Sequence, residues 1–95
     1  MIARRLRIHG RVQGVSFRDW TRRTARSRAL TGWVRNVRDG SVEVFVAGPV
    51  DRVEAFVADC RRGPAGARVD RLDQIDEAPV PIEGFAILPT TDGRD

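Results

Sequence analysis

The sequence predicts an α+β domain in which two helices cover one face of an antiparallel sheet. Three observations support this class: the chain opens with strand-like alternation, a hairpin signal lies near its centre, and an amphipathic helical pattern follows each of these parts. The element order is therefore β-α-β-β-α-β with a short strand at the end, which is the ferredoxin-like arrangement. A length of 95 residues fits one domain over residues 1–95.

The first strand and the first helix are joined by a short loop. In RLRIHGR, Leu6 and Ile8 alternate with charged residues, as in a half-buried strand. Ser16 and Asp19 have the spacing of a capping box, so a helix is expected over about 17–29 with Ser16 as its N-cap. The residues expected to face inward from this helix are Phe17, Trp20, Thr24 and Ala25.

A β-hairpin is expected over LTGWVRNVRDGSVEVFVAG. Its turn is predicted at Asp39-Gly40 as a two-residue turn, because both positions tolerate positive φ. Val42, Val44 and Val46 alternate along its second strand. The first strand of the hairpin is expected to lie beside the strand that opens the chain.

Gly48-Pro49 predicts the start of the second helix, with Pro49 at the first helical position, where its missing N–H costs nothing. RRGPAGA ends this helix, and RVDRLDQI indicates a weaker strand, either at an edge or interrupted by a bulge. GFAILP predicts the short final strand. The apolar stripe of the second helix consists of Val50, Val53, Phe56, Val57 and Cys60.

The charge of the chain is unevenly distributed. All 17 basic residues are arginines, and residues 1–38 carry a net charge of +10 whereas residues 39–95 carry −6. The strongly basic N-terminal segment indicates an anionic partner, either a nucleic acid or a phosphorylated small molecule. For most of these arginines, the simpler interpretation is a solvated surface.

Several kinds of site are excluded by the residues present. The chain has no Walker A pattern, and Ser16 lacks the flanking glycines of a nucleophile elbow. His9, the sole histidine, is expected to face solvent on a strand, and Cys60, the sole cysteine, to be an inert core thiol. No Cys/His cluster predicts a metal site, and no cofactor is expected. The absence of a long apolar run and of a secretory signal favours a cytoplasmic protein.

The segment GRVQGVSFR, between the first strand and helix, is typical of a loop that binds an anion. Gly10 and Gly14 permit a tight path, so successive N–H groups can converge on one point. That point lies at the N-terminus of a helix, where the dipole is positive, and Arg18 can add a bidentate fork. A purely structural turn is the alternative interpretation. The converging amides would belong to Arg11, Val12, Gln13, Gly14 and Val15.

Asn36, in GWVRN, is the second candidate site residue. Its side chain offers one acceptor and two donors, so it could hold a water molecule in line with a bound phosphorus atom. An asparagine at this place could also serve only the turn that follows.

Together, GRVQGVSFR and GWVRN resemble the acylphosphatase family, and the resemblance extends over about residues 4–88. It implies a ferredoxin-like fold and hydrolysis of carboxyl phosphates to carboxylate and inorganic phosphate, by water attack without a covalent intermediate. It also implies that Arg18 is the essential arginine, Asn36 the residue that positions water, and residues 11–15 the anion-binding loop. The implied partners are a small acyl phosphate as substrate and phosphate as product and inhibitor.

Two other functions stay open at this point. RNA-recognition modules share the element order but stack bases on aromatic residues of the first and third strands. Here the first strand presents Arg5, Arg7 and His9, and the third strand offers only Phe45. A non-catalytic regulator could keep the same fold and anion-binding loop. No nucleic acid or membrane is expected as a partner, and a monomer is the simplest state.

Overall fold

The computed structural model describes residues 1–93, which form five strands and two helices. The predicted βαββαβ order and the short final strand are confirmed. The strands lie in the sheet in the order β4-β1-β3-β2-β5. The elements are β1 (Ile2–Arg11), α1 (Phe17–Ser27), β2 (Thr31–Asn36), β3 (Val42–Gly48), α2 (Val50–Arg62), β4 (Arg68–Glu77) and β5 (Phe85–Ile87).

The central strand is β3, and its position corrects two expectations about the sheet. β2 pairs with β3 and β5, so it does not lie beside β1 as expected. β5 pairs with β2 in parallel, so the sheet is mixed rather than purely antiparallel. Because β1 and β2 both run antiparallel to β3, they run parallel to each other, and their C-terminal ends lie at the same edge of the sheet.

The helices bury one face of the sheet, and the alternation predicted for β1 and β3 is confirmed. The fully buried strand residues of this core include Leu6, Ile8, Val42, Val44 and Val46. The apolar stripe predicted for α2 is confirmed except at Val50. This residue lies in the first turn of the helix and is 50% exposed, and the buried residues of α2 begin one turn later, at Val53. α2 itself begins at Val50, which makes Pro49 the N-cap rather than the first helical residue.

The buried residues of α1 are Phe17, Thr21 and Ala25. Phe17 and Ala25 were predicted to face inward, whereas Thr21 takes the place expected for Trp20 and Thr24. Positions 17, 21 and 25 are four apart and therefore lie along one line of the helix. The Thr21 hydroxyl donates a hydrogen bond to the carbonyl of Phe17 (2.8 Å), which satisfies it inside the core. Trp20 and Thr24, which lie together on the neighbouring row of the helix, are half-buried. The helix ends at Ser27, two residues before the predicted end.

The outer face of β3 is also buried, by a layer of charged and aromatic side chains. Glu43 is only 5% exposed and accepts hydrogen bonds from Arg5 (3.3 Å) and Arg35 (2.7 Å). Both guanidinium groups lie over the Trp33 ring, and Trp33 stacks on Phe45 with 6.0 Å between ring centroids. Every residue of β3 is therefore buried, although only one face of the sheet is covered by helices.

The expectations of an edge position and a bulge for β4 are both confirmed, because β4 is the outermost strand and its pairing with β1 shifts between His9 and Gly10. The prediction of a two-residue turn at Asp39-Gly40 is wrong. Gly40 has φ 98°, but Asp39 does not have a positive φ. Val37 and Ser41 close a three-residue loop, with Gly40 N–H donating to Val37 O (3.0 Å). The Asp39 carboxylate accepts the Ser41 N–H (2.8 Å) and thereby holds this wider loop.

Ser16 occupies the N-cap position of α1 as predicted, but the predicted capping box is wrong. Ser16 has φ 60° and ψ 27°, and its side chain makes no capping hydrogen bond. A capping residue takes β-region dihedrals that bring its oxygen over the first turn, and the left-handed conformation does not. Asp19 instead accepts hydrogen bonds from Arg22 and Arg23, both at 3.1 Å. Ser16 is therefore part of the loop, and α1 begins without a side-chain cap.

This correction predicts the effect of replacing Ser16 on stability. Ser16→Ala removes no capping hydrogen bond, so the free energy of unfolding in urea should change by less than about 0.5 kcal/mol. Ser16→Gly should be more stable than Ser16→Ala by about 1 kcal/mol, because glycine adopts a left-handed conformation without a Cβ clash. A loss of about 1–2 kcal/mol in Ser16→Ala would instead identify a true cap.

Candidate active site

The loop between β1 and α1 presents unpaired amides. Gly14 (φ 73°) and Ser16 (φ 60°) both have a positive φ and flank Val15. Left-handed residues in such a loop allow successive N–H groups to converge on one side. Within residues 1–93, no hydrogen bond uses the backbone N–H of Gln13, Gly14, Val15 or Ser16. The loop therefore forms a concave group of donors with capacity for a negatively charged ligand.

The first turn of α1 adds donors at the same place. The first helical hydrogen bond runs from Trp20 N–H to Ser16 O (3.1 Å), so the N–H groups of Phe17, Arg18 and Asp19 precede the helical ladder. The positive end of the helix dipole points in the same direction. The negative charge of Asp19 at this position is paired with two arginines on the helix surface and opposes an anion less than a free carboxylate would.

Arg18 differs from the other arginines in its surroundings. It is half-buried, it lines the cavity beside the loop, and no ion pair or hydrogen bond within residues 1–93 involves its guanidinium group. The other arginines of the described chain without such a partner are exposed, namely Arg11, Arg52 and Arg61. Arg18 thus combines a partly desolvated position with a free fork of donors, which suits a phosphate oxygen pair.

Asn36 occupies the C-terminal end of β2, where its backbone is held on both sides. It pairs with Val42 of β3, and its carbonyl accepts the N–H of Thr91 (3.0 Å), whose own carbonyl accepts the N–H of Arg38 (2.9 Å). The side-chain Oδ1 of Asn36 is buried and has no donor within residues 1–93. A buried acceptor without a donor is rare in folded proteins, so this oxygen is suited to a water molecule or a ligand.

These groups meet in one cavity of about 420 Å³ at the edge of the sheet where β1 and β2 end. Five of the residues predicted for the site line this cavity: Val12, Gln13, Gly14, Arg18 and Asn36. The other lining residues are Ser16, Phe17, Asp19 and Ile87.

The side chains of two predicted loop residues do not line the cavity. Arg11 lies opposite Arg68 in the β1–β4 pairing, and the side chain of Val15 packs against the apolar core, although the Val15 N–H is one of the unpaired loop amides. Two lining residues were missed by the sequence argument. Ser16 had been assigned to helix capping, and Ile87 lies in the short final strand, where no motif marks it. The side chain of Gln13 was also missed, since only its backbone N–H was considered.

The hairpin loop that follows Asn36 is fixed by a charged group. The hydroxyl and the N–H of Ser41 both donate to Asp39, and these bonds hold the pKa of the Asp39 carboxyl below its ordinary value, with further help from Arg7. A lowered pKa means that Asp39 stabilises the folded loop in its charged form, and this contribution is lost only as the pH falls through that lowered value. The loop beside Asn36 therefore keeps these bonds at neutral pH.

The remaining reactive groups lie away from the cavity. His9 is on the outer face of β1, beside Asp73 (3.6 Å) and Arg71 (3.2 Å). Cys60 is buried in the core, and burial raises the pKa of its thiol, as expected for an inert cysteine. Among the described residues, no three His, Cys, Asp or Glu side chains are grouped as metal ligands. No helix in that part of the chain is long and apolar enough to cross a membrane.

Comparison with known proteins gives one consistent result. A sequence model of the family described as Acylphosphatase matches residues 4–87. An acylphosphatase from Rhizorhabdus wittichii is 53% identical over 89 residues, covering 94% of this chain and 90% of its own. One from Thermococcus kodakarensis is 47% identical and covers 87% of this chain and 91% of its own. The crystal structure of an acylphosphatase from Bacillus subtilis superposes with a TM-score of 0.90 at 32% identity, covering 93% of this chain and 99% of that one.

Proposed function

The chain belongs to the acylphosphatase family, and from this premise we propose that Arg18 and Asn36 are the catalytic residues of its reaction. That reaction is the hydrolysis of an acyl phosphate, a mixed anhydride, to a carboxylate and inorganic phosphate. One observation carries the proposal. The free guanidinium of Arg18, the unpartnered Oδ1 of Asn36 and the unpaired loop amides all border the same cavity.

The loop and Arg18 would bind the phosphoryl group. The amides from Val12 to Ser16 and the first turn of α1 offer donors to its oxygens, and Arg18 offers a charged fork to two of them. As the bond to the acyl oxygen breaks, negative charge spreads over the phosphoryl oxygens. Fixed donors that already point at these oxygens stabilise this charge without reorganising, which is the largest contribution to catalysis in many enzymes.

Asn36 would hold the attacking water. Its buried Oδ1 can accept a hydrogen bond from one O–H of a water molecule and so orient a lone pair of the water oxygen toward phosphorus. The P–O bond to the acyl group breaks and its electrons leave with the carboxylate, a stable leaving group. No histidine or unpaired carboxylate of residues 1–93 lines the cavity, so the proton of the water passes to a phosphoryl oxygen of the substrate.

The two alternative functions have less support in the structure. An RNA-recognition surface needs exposed aromatic side chains on the sheet, but Phe45 is 5% exposed and Trp33 lies beneath Arg5 and Arg35. A non-catalytic anion-binding protein would have no use for the unpartnered Oδ1 of Asn36, which binding of phosphate by the loop does not require.

The proposal extends to the setting of the enzyme. We take residues 1–95 as one domain that works as a monomer in the cytoplasm, without a metal ion and without nucleic acid or membrane as a partner. Support for metal independence comes from the donor set, since the amides and Arg18 can supply the positive charge that a metal ion would provide.

Arg18→Ala should abolish measurable hydrolysis of benzoyl phosphate and weaken inhibition by inorganic phosphate, because it removes the only charged donor of the cavity that is free to bind the anion. Arg52→Ala is the matched control: it removes one positive charge from an exposed arginine that also has no partner within residues 1–93. Steady-state kinetics of both variants check the prediction. Unchanged phosphate inhibition in Arg18→Ala would refute the proposed clamp.

Asn36→Ala should lower kcat by about 100-fold and raise KM by less than about threefold, as expected when a contact acts mainly in the transition state. The measurement is a full Michaelis–Menten curve with benzoyl phosphate, with thermal unfolding as a check that the fold is kept. A loss confined to KM would make Asn36 a substrate-binding residue.

The value of kcat should be constant from about pH 6 to pH 8, because the proposed mechanism uses no side chain as a general acid or base. The measurement is the pH profile of wild type beside His9→Ala. A fall in kcat below about pH 6.5 that disappears in His9→Ala would establish histidine as a general base and contradict this mechanism.

A further inference from the structure

The side chain of Gln13 connects the anion-binding loop to the β2–β3 hairpin. Its Nε2 lies 2.8 Å from the carbonyl oxygen of Val37 and 2.8 Å from that of Ser41. Both partners are acceptors, so only the NH₂ end of the side chain can make these contacts, and both of its donors are used. Val37 follows Asn36 directly, and Ser41 precedes Val42, which pairs with Asn36. The two bonds therefore tie the loop to both arms of the hairpin, immediately beyond the Asn36–Val42 pair.

The hairpin closes without help from Gln13. Gly40 N–H already donates to Val37 O (3.0 Å), and Val37 N–H already donates to Ser41 O (2.9 Å). Asp39 holds the same loop through Ser41. Gln13 adds a second donor to each of two carbonyls that are already paired. Its bonds thus fix where the hairpin lies relative to the loop rather than whether the hairpin forms.

No other hydrogen bond within residues 1–93 joins the segment 12–16 to the hairpin. β1 and β2 are separated by β3, which places them about 9–10 Å apart at the usual strand spacing. The amides of the loop have no partners, and the space around Gly14 is open. Val12 and Val15 anchor the loop to the core, and the side chain of Gln13 provides its direct hydrogen bonds to the hairpin beside Asn36.

We propose that the side chain of Gln13 is a positioning residue that sets the distance between the phosphoryl group on the loop and the water molecule on Asn36. This inference rests on the roles proposed above for the loop and for Asn36. Attack in line requires both reactants to be held in place, and a shift of about 1 Å can cost up to about 100-fold in rate. The effect of Gln13 should therefore be visible in kcat, while the phosphate contacts made by Arg18 and the amides stay in place.

The experiment is a double-mutant cycle with Gln13→Met and Asn36→Ala, assayed with benzoyl phosphate and with inorganic phosphate as inhibitor. Methionine keeps the length of glutamine but has no N–H donor. Gln74→Met is the matched control, because it makes the same substitution at the only other glutamine of the chain, an exposed residue of β4. Circular dichroism and thermal unfolding report whether each variant is folded. Gln13→Leu, which also lacks an N–H donor and adds no charge beside the anion site, takes the place of Gln13→Met if methionine prevents folding.

In the protein that keeps Asn36, Gln13→Met should lower kcat about tenfold and change the inhibition constant of phosphate by less than about threefold. In the Asn36→Ala background the same substitution should change kcat by less than about twofold, because there is no positioned water left to misalign. Gln74→Met should leave kcat and the inhibition constant of phosphate unchanged relative to the parent protein in each background.

Three results would overturn the inference: an unchanged kcat in Gln13→Met, a full tenfold loss that persists with Asn36→Ala, or a loss of phosphate inhibition equal to the loss of kcat. The last would mean that Gln13 only shapes the loop. The role proposed for Asn36 has its own test: an unchanged kcat in Asn36→Ala alone would refute that role, whatever Gln13→Met does.

Discussion

The site depends on one feature of the sheet, the pairing of β1 and β2 with opposite edges of the same strand. Both run antiparallel to β3, so the residues that follow β1 and the residue that ends β2 come together although the strands never touch. The burial of β3 on both faces keeps this central strand fixed, by the helices on one side and by Glu43 with its two arginines on the other. The geometry of the cavity thus follows from sheet topology before any side chain is considered.

The placement of charges and donors around this cavity favours an anionic ligand. Most arginines of the described chain are engaged with carboxylates or carbonyls, so the large positive charge of the N-terminal half is locally compensated. Arg18 is the half-buried exception, and it lies where loop amides and a helix N-terminus already favour negative charge. An acyl phosphate carries a good leaving group, so positioned donors and a positioned water are sufficient chemistry.

The sequence predicted the element order, the core alternation and the two catalytic candidates, because these follow from local periodicity and from two distinctive motifs. It failed where a local pattern had two meanings. The spacing of Ser16 and Asp19 fits a capping box, but the tight path of the loop forces Ser16 into a left-handed conformation. Gln13 was considered for its N–H alone, since the carbonyls that hold its side chain come from residues more than twenty positions away and only the folded sheet brings them near.

A crystal structure of the protein with orthovanadate tests the central claim most directly, because vanadate takes a five-coordinate form that resembles the transition state. We expect equatorial oxygens within hydrogen-bond distance of the loop amides and of the Arg18 guanidinium, and an apical oxygen within about 3 Å of the Asn36 Oδ1. Vanadate bound elsewhere, or bound in the loop with its apical oxygens remote from Asn36, would contradict the account.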